Sequence, residues 1–331
     1  MYYDAITIGD ATNDIFMKPH EASLIASPQC PPQGVCDLSM ICWGFGEKIT
    51  VDEIYYDVGG SACNVAVGLS RLGYQTGIIT ALGDDLFAQR IQQQLKKEKV
   101  FSNYIKILKN IDTSFSVIIT YRGERTILVY HGLDDYSRLS IPRSLKTKWL
   151  YIGPLGNNYQ PLYQRIISLV SERTISLALN PGAIQIKDND PSLQSLLRVT
   201  KVLFLNKEEA INLLRMPGLP QIKELLIKLK DLGPKIVVVT DGKHGAYAVE
   251  ENNFYHIPIF SVQKIDVTGA GDAFSSGFLA SYIKEERIEK ALCWGVINSA
   301  WVVKYRGAQS GLLKLSRLRK NLSTAPKIYK I

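Results

Sequence analysis

The stretch Asp266-Val-Thr-Gly-Ala-Gly-Asp-Ala-Phe274 places two glycines, Gly269 and Gly271, at the start of a run of small and apolar residues. The alternating apolar run before it, residues 256–262, predicts a strand, and residues 270–283 predict an amphipathic helix. A glycine-rich turn therefore opens a helix. Such a turn presents unpaired N–H groups at the positive end of the helix dipole, and glycine lets a ligand approach them closely. The pattern indicates an anion site, above all one for phosphate.

Asp272 falls in the first turn of this predicted helix. A carboxylate there would repel a bound phosphate, so electrostatics alone does not account for it. It is accounted for if Asp272 takes the proton from a hydroxyl that attacks a phosphoryl group held by the neighbouring amides, because phosphoryl transfer to an alcohol needs a general base. The alternative is an ordinary acidic residue that stabilises the start of a helix.

The stretch resembles the C-terminal signature of the ribokinase-like (PfkB-type) carbohydrate kinases, Asp-Thr-x-Gly-Ala-Gly-Asp. The resemblance implies that Asp272 is the catalytic base. It also implies that the backbone amides of Gly269, Ala270 and Gly271 form an anion hole for the transferred phosphate. Val267 departs from the Thr that is usual at its position, but that position acts mostly through its backbone.

A second stretch, Gly59-Gly-Ser-Ala-Cys-Asn-Val-Ala-Val-Gly-Leu-Ser-Arg-Leu-Gly73, resembles the family's N-terminal signature. Gly59 and Gly60 permit positive φ and close approach of a ligand, and the pair can act as a hinge between a lid and the core. The small residues that follow predict a tightly packed helix ending at Gly73. The resemblance makes Gly59, Gly60 and Asn64 substrate residues; the alternative for Asn64 is a polar residue at a helix start.

Residues 4–9 predict a buried strand, and Asp14 follows it closely. In α/β proteins, ligands collect at the carboxyl ends of such strands. The resemblance assigns to Asp14 the hydrogen bonds with two substrate hydroxyls. Asn13 is the fallback candidate, and an ordinary turn residue is the alternative.

Alternating stretches between residues 15 and 58 predict strands rather than helices, and residues 111–131 predict a hairpin. The resemblance implies that these two segments form a small β-sheet lid over the sugar. Strands and helices alternate elsewhere, which favours a mostly parallel sheet, and the resemblance implies a three-layer α/β/α ribokinase-like core. That core is predicted to comprise residues 1–14, 59–110 and 132–331.

Tyr121, Arg122 and Arg125 lie in the predicted hairpin. Arginine pairs well with carboxylate and phosphate, so these residues are candidates for recognition of an acidic or phosphorylated sugar. Exposed hairpin charges are the alternative.

The run Asn206-Lys-Glu-Glu209 opens a predicted helix directly after a buried strand. An acidic residue in a first helical turn is ordinary capping in most proteins. The run also resembles the family's Asn-x-x-Glu motif, which implies that Asn206 and Glu209 organise Mg2+ and the phosphates of ATP. Mg2+ is usually held through few carboxylates, so a single Glu suffices.

Thr240-Asp-Gly-Lys-His-Gly245 follows another predicted buried strand. The family binds ATP in this region, which makes Thr240, Gly242 and Gly245 candidates for nucleotide contacts. Asn298, in a later predicted helix, is a candidate to border the adenine.

In several relatives the first Asp of the C-terminal signature and a later loop bind a monovalent cation. Asp266 and the loop around Gly307 match those positions. The resemblance thus implies K+ as a further cofactor, bound at Asp266.

The chain has 331 residues, of which 46% are hydrophobic and 21% charged, as in ordinary globular proteins. Its net charge of +8 suits anionic substrates such as nucleotides. No basic leader precedes the first strand, and the apolar run 291–303 is too short to span a bilayer. We therefore expect a cytoplasmic protein that binds neither membranes nor nucleic acid.

The five cysteines are an odd number without a disulfide-like framework. Cys30, Cys36 and Cys42 are spaced six apart downstream of His20, which raises the question of a metal site. The tight Cys-x-x-Cys pairs typical of zinc sites are missing, so free thiols are the alternative.

The sequence contains no Walker A, Rossmann or protein-kinase catalytic motif. We expect an ATP-dependent kinase acting on a hydroxymethyl group of a small carbohydrate. The alternatives are a nucleoside kinase of the adenosine type and, in a different class, a sugar- or nucleotide-binding regulator without catalysis. An exposed β lid often pairs with a second copy, so a homodimer is expected.

Overall fold

The computed structural model describes residues 2–26 and 39–331. A sheet of ten strands forms the centre of the molecule, in the spatial order β16-β15-β14-β13-β12-β11-β10-β1-β6-β7. Its strands are β1 (Tyr3–Ile8), β6 (Thr76–Leu82), β7 (Phe101–Ile107), β10 (Thr147–Ile152), β11 (Ser176–Leu179), β12 (Val202–Asn206), β13 (Ile236–Thr240), β14 (Ala246–Glu250), β15 (Asn253–Ile257) and β16 (Tyr329–Lys330).

The pairs from β7 through β13 are parallel, and the three strands at the other edge are antiparallel. Ten helices connect the strands in the described part of the chain. They are α1 (Ser61–Arg71), α2 (Leu86–Lys97), α3 (Gln160–Glu172), α4 (Ala183–Asp188), α5 (Pro191–Val199), α6 (Lys207–Leu214), α7 (Ile222–Asp231), α8 (Ala270–Glu285), α9 (Ile288–Val302) and α10 (Leu315–Asn321).

Both faces of the central sheet are buried, because successive side chains of a strand point to opposite faces. In β11, Leu177 and Leu179 pack with the helices α3, α5, α6 and α7, whereas Ala178 between them packs with α8 and α9. In β13, Val237 and Val238 divide in the same way. The result is a three-layer α/β/α architecture with a mostly parallel sheet, as the sequence predicted.

A second sheet of four strands lies apart from the central one, in the order β5-β2-β8-β9. It consists of β2 (Thr12–Pro19), β5 (Val51–Gly59), β8 (Phe115–Tyr121) and β9 (Glu124–Tyr130). We call this sheet the lid. The chain enters it directly from β1 and leaves it at Gly59, immediately before α1, so both connections lie at the carboxyl edge of the central sheet.

A small two-stranded sheet pairs β3 (Ser23–Ala26) with β4 (Ser39–Cys42). β5, one of the strands predicted between residues 15 and 58, pairs with β2 of the lid. Cys30 and Cys36 lie outside the described residues. Cys42 is a free thiol, His20 contacts Asp52 (Nδ1 to Oδ1, 2.8 Å), and the described ranges hold no group of three or more potential metal ligands.

The predicted strand over residues 256–262 is wrong in its bounds, since β15 starts at Asn253 and ends at Ile257. Pro258 follows at once, and its missing N–H removes a hydrogen bond that the sheet would need. The segment from Pro258 to Thr268 has no regular structure, which leaves Ile259, Phe260 and Val262 free to line a cavity. Within the described ranges, none of the helices combines the length and apolar character needed to cross a bilayer.

Candidate active site

Helices α1 and α8 begin side by side, and this pairing builds the centre of the site. A Cβ on Gly68 of α1 would lie 2.3 Å from Ser276 Oγ of α8, so only glycine permits this approach. As a result, the first turns of the two helices face each other. Asp272 from α8 meets Ser61 and Asn64 from α1 there.

Both carboxylate oxygens of Asp272 accept hydrogen bonds. Ser61 Oγ donates to Oδ1, and Asn64 Nδ2 donates to Oδ2 at 2.8 Å. Gln309 Nε2 in turn donates to Asn64 Oδ1 at 3.1 Å, which sets the orientation of the Asn64 amide. Burial raises the pKa of Asp272, and the two side-chain donors oppose that rise because they favour the ionised form. The arrangement suits a carboxylate that accepts a proton.

The turn before α8 leaves its N-terminus open. Gly269 has φ 74°, and a Cβ there would lie 2.5 Å from Ala308 Cβ, so glycine is required on both grounds. Gly271 is exposed, with open space where a side chain would stand. The backbone at Gly271 is thus open to an anion, whereas the N–H of Ala270 donates to Val267 O at 3.2 Å. The anion hole at Gly269, Ala270 and Gly271 stays a prediction.

Asp14 lies buried on β2, on the face of the lid that also carries Asp57 of β5, directly opposite it. Thr12 Oγ1 donates to Asp14 Oδ1 at 3.2 Å. Burial raises the pKa of both Asp14 and Asp57 to about 6, and Asp272 contributes to the shift at Asp14. Several carboxylates thus share one electrostatic neighbourhood at this end of the site.

The Gly59-Gly60 pair lies where the lid joins α1. A Cβ on Gly59 would stand 2.1 Å from Asp14 Oδ2, and Gly60 has φ 88°. The pair therefore gives the Asp14 carboxylate its room and makes the turn into α1. The fallback candidate Asn13 points elsewhere, since its Nδ2 donates to Phe87 O at 3.1 Å.

An apolar cavity of about 390 Å³ adjoins the N-terminus of α8. Three residues predicted to contact a nucleotide line it, namely Thr240, Gly242 and Gly245. Ala270 and Gly271, which the sequence predicts to form an anion hole, line the same cavity, so it extends to the N-terminus of α8. Sequence reasoning missed most of its apolar wall, which is formed by Ile259, Phe260, Val262, Val267, Phe274, Val296, Ala300 and Val303.

The structure does not place Asn298 at this cavity, although it was expected to border the adenine. Asn298 is fully buried, and its Nδ2 donates to Ala273 O at 2.8 Å while its Oδ1 accepts from Leu313 N at 3.0 Å. It joins α9 to α8 and to the segment before α10. Its neighbour Ser299, one residue further along α9, lines the cavity instead.

Asn206 and Glu209 form a reciprocal capping box at the start of α6. Asn206 Oδ1 accepts from Glu209 N, and Glu209 Oε2 accepts from Asn206 N, both at 2.8 Å. Burial raises the pKa of Glu209, and the nearby carboxylate of Asp272 adds to the rise. Capping uses one carboxylate oxygen of Glu209, so the other is free to act toward a ligand near Asp272. The residues fit a magnesium ion held mainly by phosphates and water.

Asp266 does not fit the expected monovalent cation site. Its Oδ1 accepts from Thr268 N (2.9 Å), Thr268 Oγ1 (2.7 Å) and Arg125 Nη1 (3.1 Å), and its Oδ2 accepts from Gly307 N (3.0 Å). Burial favours the neutral acid, but these donors outweigh it and lower the pKa of Asp266. The carboxylate is already satisfied, in part by a cation of the protein.

The other hairpin candidates do not reach this centre. Tyr121 donates its hydroxyl to Ala22 O at 2.8 Å, and Arg122 is exposed, with its guanidinium 5.4 Å from the Tyr121 ring centroid. Of the three, Arg125 alone contacts the C-terminal signature.

Sequence reasoning overlooked Ser61, Gln309 and the contact made by Arg125. Ser61 directly follows the Gly-Gly pair at the start of a helix, which was a usable signal. Gln309 lies in the loop after Gly307, but its contact with Asn64 spans 245 residues of sequence. Pairings over such distances are set by the packing of whole elements and leave no local pattern.

Taken together, the layered sheet, the lid at its carboxyl edge and a carboxylate at an open helix N-terminus define a class: α/β phosphotransferases with an alcohol group as acceptor. The chain belongs to the PfkB family, because the family model described as "pfkB family carbohydrate kinase" matches residues 35–315.

Curated relatives are similar over most of their length. The chain is 25% identical to the aminoimidazole riboside kinase of Salmonella typhimurium, with 71% of this chain and 75% of the relative covered. It is 25% identical to a deoxyribokinase of the same species (84% and 92% covered) and 30% identical to a fructokinase of Klebsiella pneumoniae (67% and 76% covered).

Solved structures share the fold. Arabidopsis thaliana ribokinase, complexed with ribose and ATP, superposes with a TM-score of 0.78 at 20% identity, covering 97% of this chain and 99% of that one. An Escherichia coli protein solved with ATP and Mg2+ gives a TM-score of 0.77 at 18% identity, with 97% and 99% covered. The ribokinase-like fold expected from the sequence is confirmed.

Proposed function

We propose that this protein transfers the γ-phosphate of ATP to a hydroxymethyl group of a small, neutral carbohydrate. The observation that carries the proposal is the position of Asp272. Its carboxylate is held by Ser61 and Asn64 at the open N-terminus of α8, where that helix borders an apolar cavity. A base, an anion site and a cavity suited to a purine thus meet at one point.

The roles of the residues follow from their positions. Asp272 accepts the proton of the attacking hydroxyl, and Ser61 and Asn64 orient it. The N–H groups from Gly269 to Asp272 stabilise negative charge on the transferring group. The adenine lies against the apolar wall near Thr240, Gly242 and Gly245. Glu209 and Asn206 would hold Mg2+, which would supply positive charge that neutralises the phosphates of ATP.

Asp14 would hold two hydroxyls of the acceptor, with Asn64 bridging toward Asp272. The substrate end carries Asp14, Asp57 and Asp272, and a phosphate or carboxylate on the substrate would be repelled by these carboxylates. Arg125, the expected partner for such a group, is engaged with Asp266. Both observations favour a neutral polyhydroxyl substrate over an acidic or phosphorylated one.

A nucleoside is the second candidate for the acceptor. A riboside kinase is among the similar curated proteins, and a nucleoside kinase of Methanocaldococcus jannaschii shares the fold with a TM-score of 0.76 at 21% identity. A nucleoside carries the same neutral sugar, so Asp14 and Asn64 would serve it equally. The two candidates differ only in what lies beyond the sugar ring.

The test is ADP release with Mg·ATP over a panel of ribose, deoxyribose, fructose, nucleosides, sugar acids and sugar phosphates. The proposal expects turnover on neutral sugars or nucleosides and loss of that turnover in Asp272→Asn. Turnover confined to sugar phosphates or acids would contradict the neutral-substrate proposal. ATP binding without turnover on any acceptor, in a protein that also binds a sugar, would favour the non-catalytic regulator.

A further inference from the structure

We propose that Arg125 takes the place of a monovalent cation, so that an arginine carried by the lid organises the anion-hole loop and the reaction needs no K+. This inference rests on the proposed kinase function. Arg125 belongs to β9 of the lid, whereas its partners Asp266 and Thr268 belong to the core. The contact therefore joins two parts of the molecule that are far apart in sequence.

The Asp266 carboxylate is held by donors of the protein itself. Oδ1 accepts from Thr268 N, Thr268 Oγ1 and Arg125 Nη1, and Oδ2 accepts from Gly307 N. Thr268 Oγ1 donates to Asp266 and accepts from Arg125 Nη1 at 2.9 Å, so this hydroxyl is used twice. The three groups form a closed network.

The chemistry of the network also opposes a cation. Alkali and alkaline-earth ions are held by oxygen ligands such as carboxylates and carbonyls. Here the Arg125 guanidinium already contacts Asp266 Oδ1 at 3.1 Å. A cation bound to the same carboxylate would lie close to this like charge.

Thr268 directly precedes Gly269, the residue whose backbone turns into the anion hole. By holding Asp266 and Thr268, Arg125 fixes the turn that leads through Gly269 into the N-terminus of α8. It also brings a positive charge to the loop that receives the phosphoryl group. Arg125 is thus a positioning residue whose charge arrives with the lid.

A second ion pair joins the lid to the core. In this pair the arginine belongs to the core and the carboxylate to the lid. Arg306 Nη1 of the core loop contacts Glu53 Oε2 of β5 at 2.6 Å. Both of its partners are about half exposed, so the pair is worth little by itself. Arg306 directly precedes Gly307, whose N–H donates to Asp266. The lid therefore contacts this part of the core through both Arg125 and Glu53.

One carboxylate oxygen near the loop remains without a hydrogen-bond partner. Asp57 Oδ2 would lie 1.9 Å from a Cβ on Gly307, and so it faces the backbone of that glycine. If a cation binds near this loop, Asp57 is the natural ligand for it. The variant Asp57→Asn therefore belongs in the test.

The experiment measures ADP release against K+ concentration, with choline chloride keeping the ionic strength constant. Wild type is expected to show no dependence on K+. Arg125→Ala should lose turnover by about 10- to 100-fold, as typically follows removal of a residue that orients a charged group. K+ should restore part of that turnover. Arg125→Lys should keep more activity without K+, and Arg122→Ala, the exposed neighbour in the same hairpin, should behave as wild type.

Thermal unfolding supplies a readout that does not need activity. K+ should raise the unfolding temperature of Arg125→Ala relative to choline and leave that of wild type unchanged. The same curves show whether each variant is folded. Failure of every acceptor in the panel would remove the kinase function, and these curves would still decide the role of Arg125.

The proposal is overturned if K+ activates or stabilises the wild type, and loss of that response in Asp57→Asn would then identify the ligand. It is also overturned if Arg125→Ala turns over as fast as wild type. A folded Arg125→Ala protein that shows no response to K+ would also contradict the proposal, because a cation should then be able to bind beside Asp266 where the guanidinium was.

Discussion

At the scale of single residues, the site depends on side chains held in defined states of charge. Asp272 keeps two hydrogen-bond donors on its carboxylate, which favours the ionised form that a general base requires. Asp14 likewise has side-chain donors, Thr12 and Ser116, and burial raises its pKa to about 6. Burial also raises the pKa of Asp272, so it is position that separates their proposed roles: Asp272 lies in the first turn of α8 and Asp14 on β2 of the lid.

Replacing Asp272 by Asn should lower kcat by a factor on the order of 10² to 10⁴, because the general base is lost. ATP binding should remain nearly intact, since Asn keeps the shape of the side chain and removes a charge that repels phosphate. Turnover and nucleotide binding would be measured on the same preparation. Asp231→Asn, at an exposed position in α7, is the matched control. Full activity in Asp272→Asn would remove this residue from the chemistry.

Replacing Asp14 by Asn should stabilise the protein at neutral pH. A carboxyl whose pKa is about 6 when folded and 3.8 when unfolded favours folding at low pH. That contribution is lost as the pH rises from about 4 to about 6. The gain in Asp14→Asn should therefore be near zero at pH 4 and reach about 1–3 kcal/mol above pH 6.

Denaturant unfolding of wild type and Asp14→Asn across this pH range measures the difference. Turnover of the variant should fall at the same time, because Asn cannot replace a carboxylate that is proposed to accept hydrogen bonds from two substrate hydroxyls. A stability difference that is independent of pH would contradict the raised pKa of Asp14.

At the scale of elements, the contact between α1 and α8 brings together the residues proposed to act in catalysis. The two helices come from opposite ends of the chain and bring Ser61, Asn64 and Asp272 together. Gly68 and Ser276 form the closest point of the crossing. Small residues at this point let the backbones approach, and the distance between the helices sets the geometry of the carboxylate.

Gly68→Ala should push the two helices apart, since its new Cβ would meet Ser276 Oγ at 2.3 Å and Ser276 Cβ at 2.6 Å. Overpacking of this kind costs about 1–3 kcal/mol of unfolding free energy. Turnover should fall as well, because Ser61 and Asn64 move relative to Asp272. Ser276→Gly in the same chain should recover part of both losses. If the double variant is no better than Gly68→Ala, crowding at this crossing is not the cause.

At the scale of the whole molecule, the lid has one face on the core and one in solvent. Asp14 and Asp57 lie on the inner face together with the exposed residues Ile127 and Val129, and alternation along the strands puts further exposed apolar residues on the other face. Ile54 and Leu128 on that outer face are 52% and 57% exposed, and the exposed Tyr56 and Tyr130 lie on the same face of their strands. An apolar sheet surface of this kind favours pairing with a second copy, and we propose that the protein is a homodimer through its lid.

Ile54→Lys with Leu128→Glu should convert the dimer into a monomer, because both substitutions put charges into the proposed apolar contact. Light scattering coupled to gel filtration would give the mass of each species. Leu219→Glu is the matched control, as Leu219 is 87% exposed in a loop away from the lid. A wild-type protein with the mass of a monomer at all concentrations would rule the dimer out.

The lid also shows which features of the fold could be predicted from sequence patterns and which could not. Alternation along residues 114–121 and 125–130 predicts the hairpin of β8 and β9. The predicted turn at 122–124 is one residue too long, because Glu124 already pairs with Tyr121 and only Arg122 and Gly123 make the turn. The partners of the strands were not predictable in the same way. That β2 lies between β5 and β8, parallel to one and antiparallel to the other, follows from how the chain returns to the lid twice.

The sequence by itself determined the local chemistry of this protein: the glycine turn before Asp272, the capping run from Asn206 to Glu209, and the periodicities that make the α/β layers. Such features depend on neighbours along the chain, so they can be predicted from it. The tertiary structure alone decided which side chains meet. Asn64 turned out to hold Asp272, Asn298 to join helices, and Arg125 to occupy the site expected for a cation, because contacts between distant elements depend on packing of the complete fold.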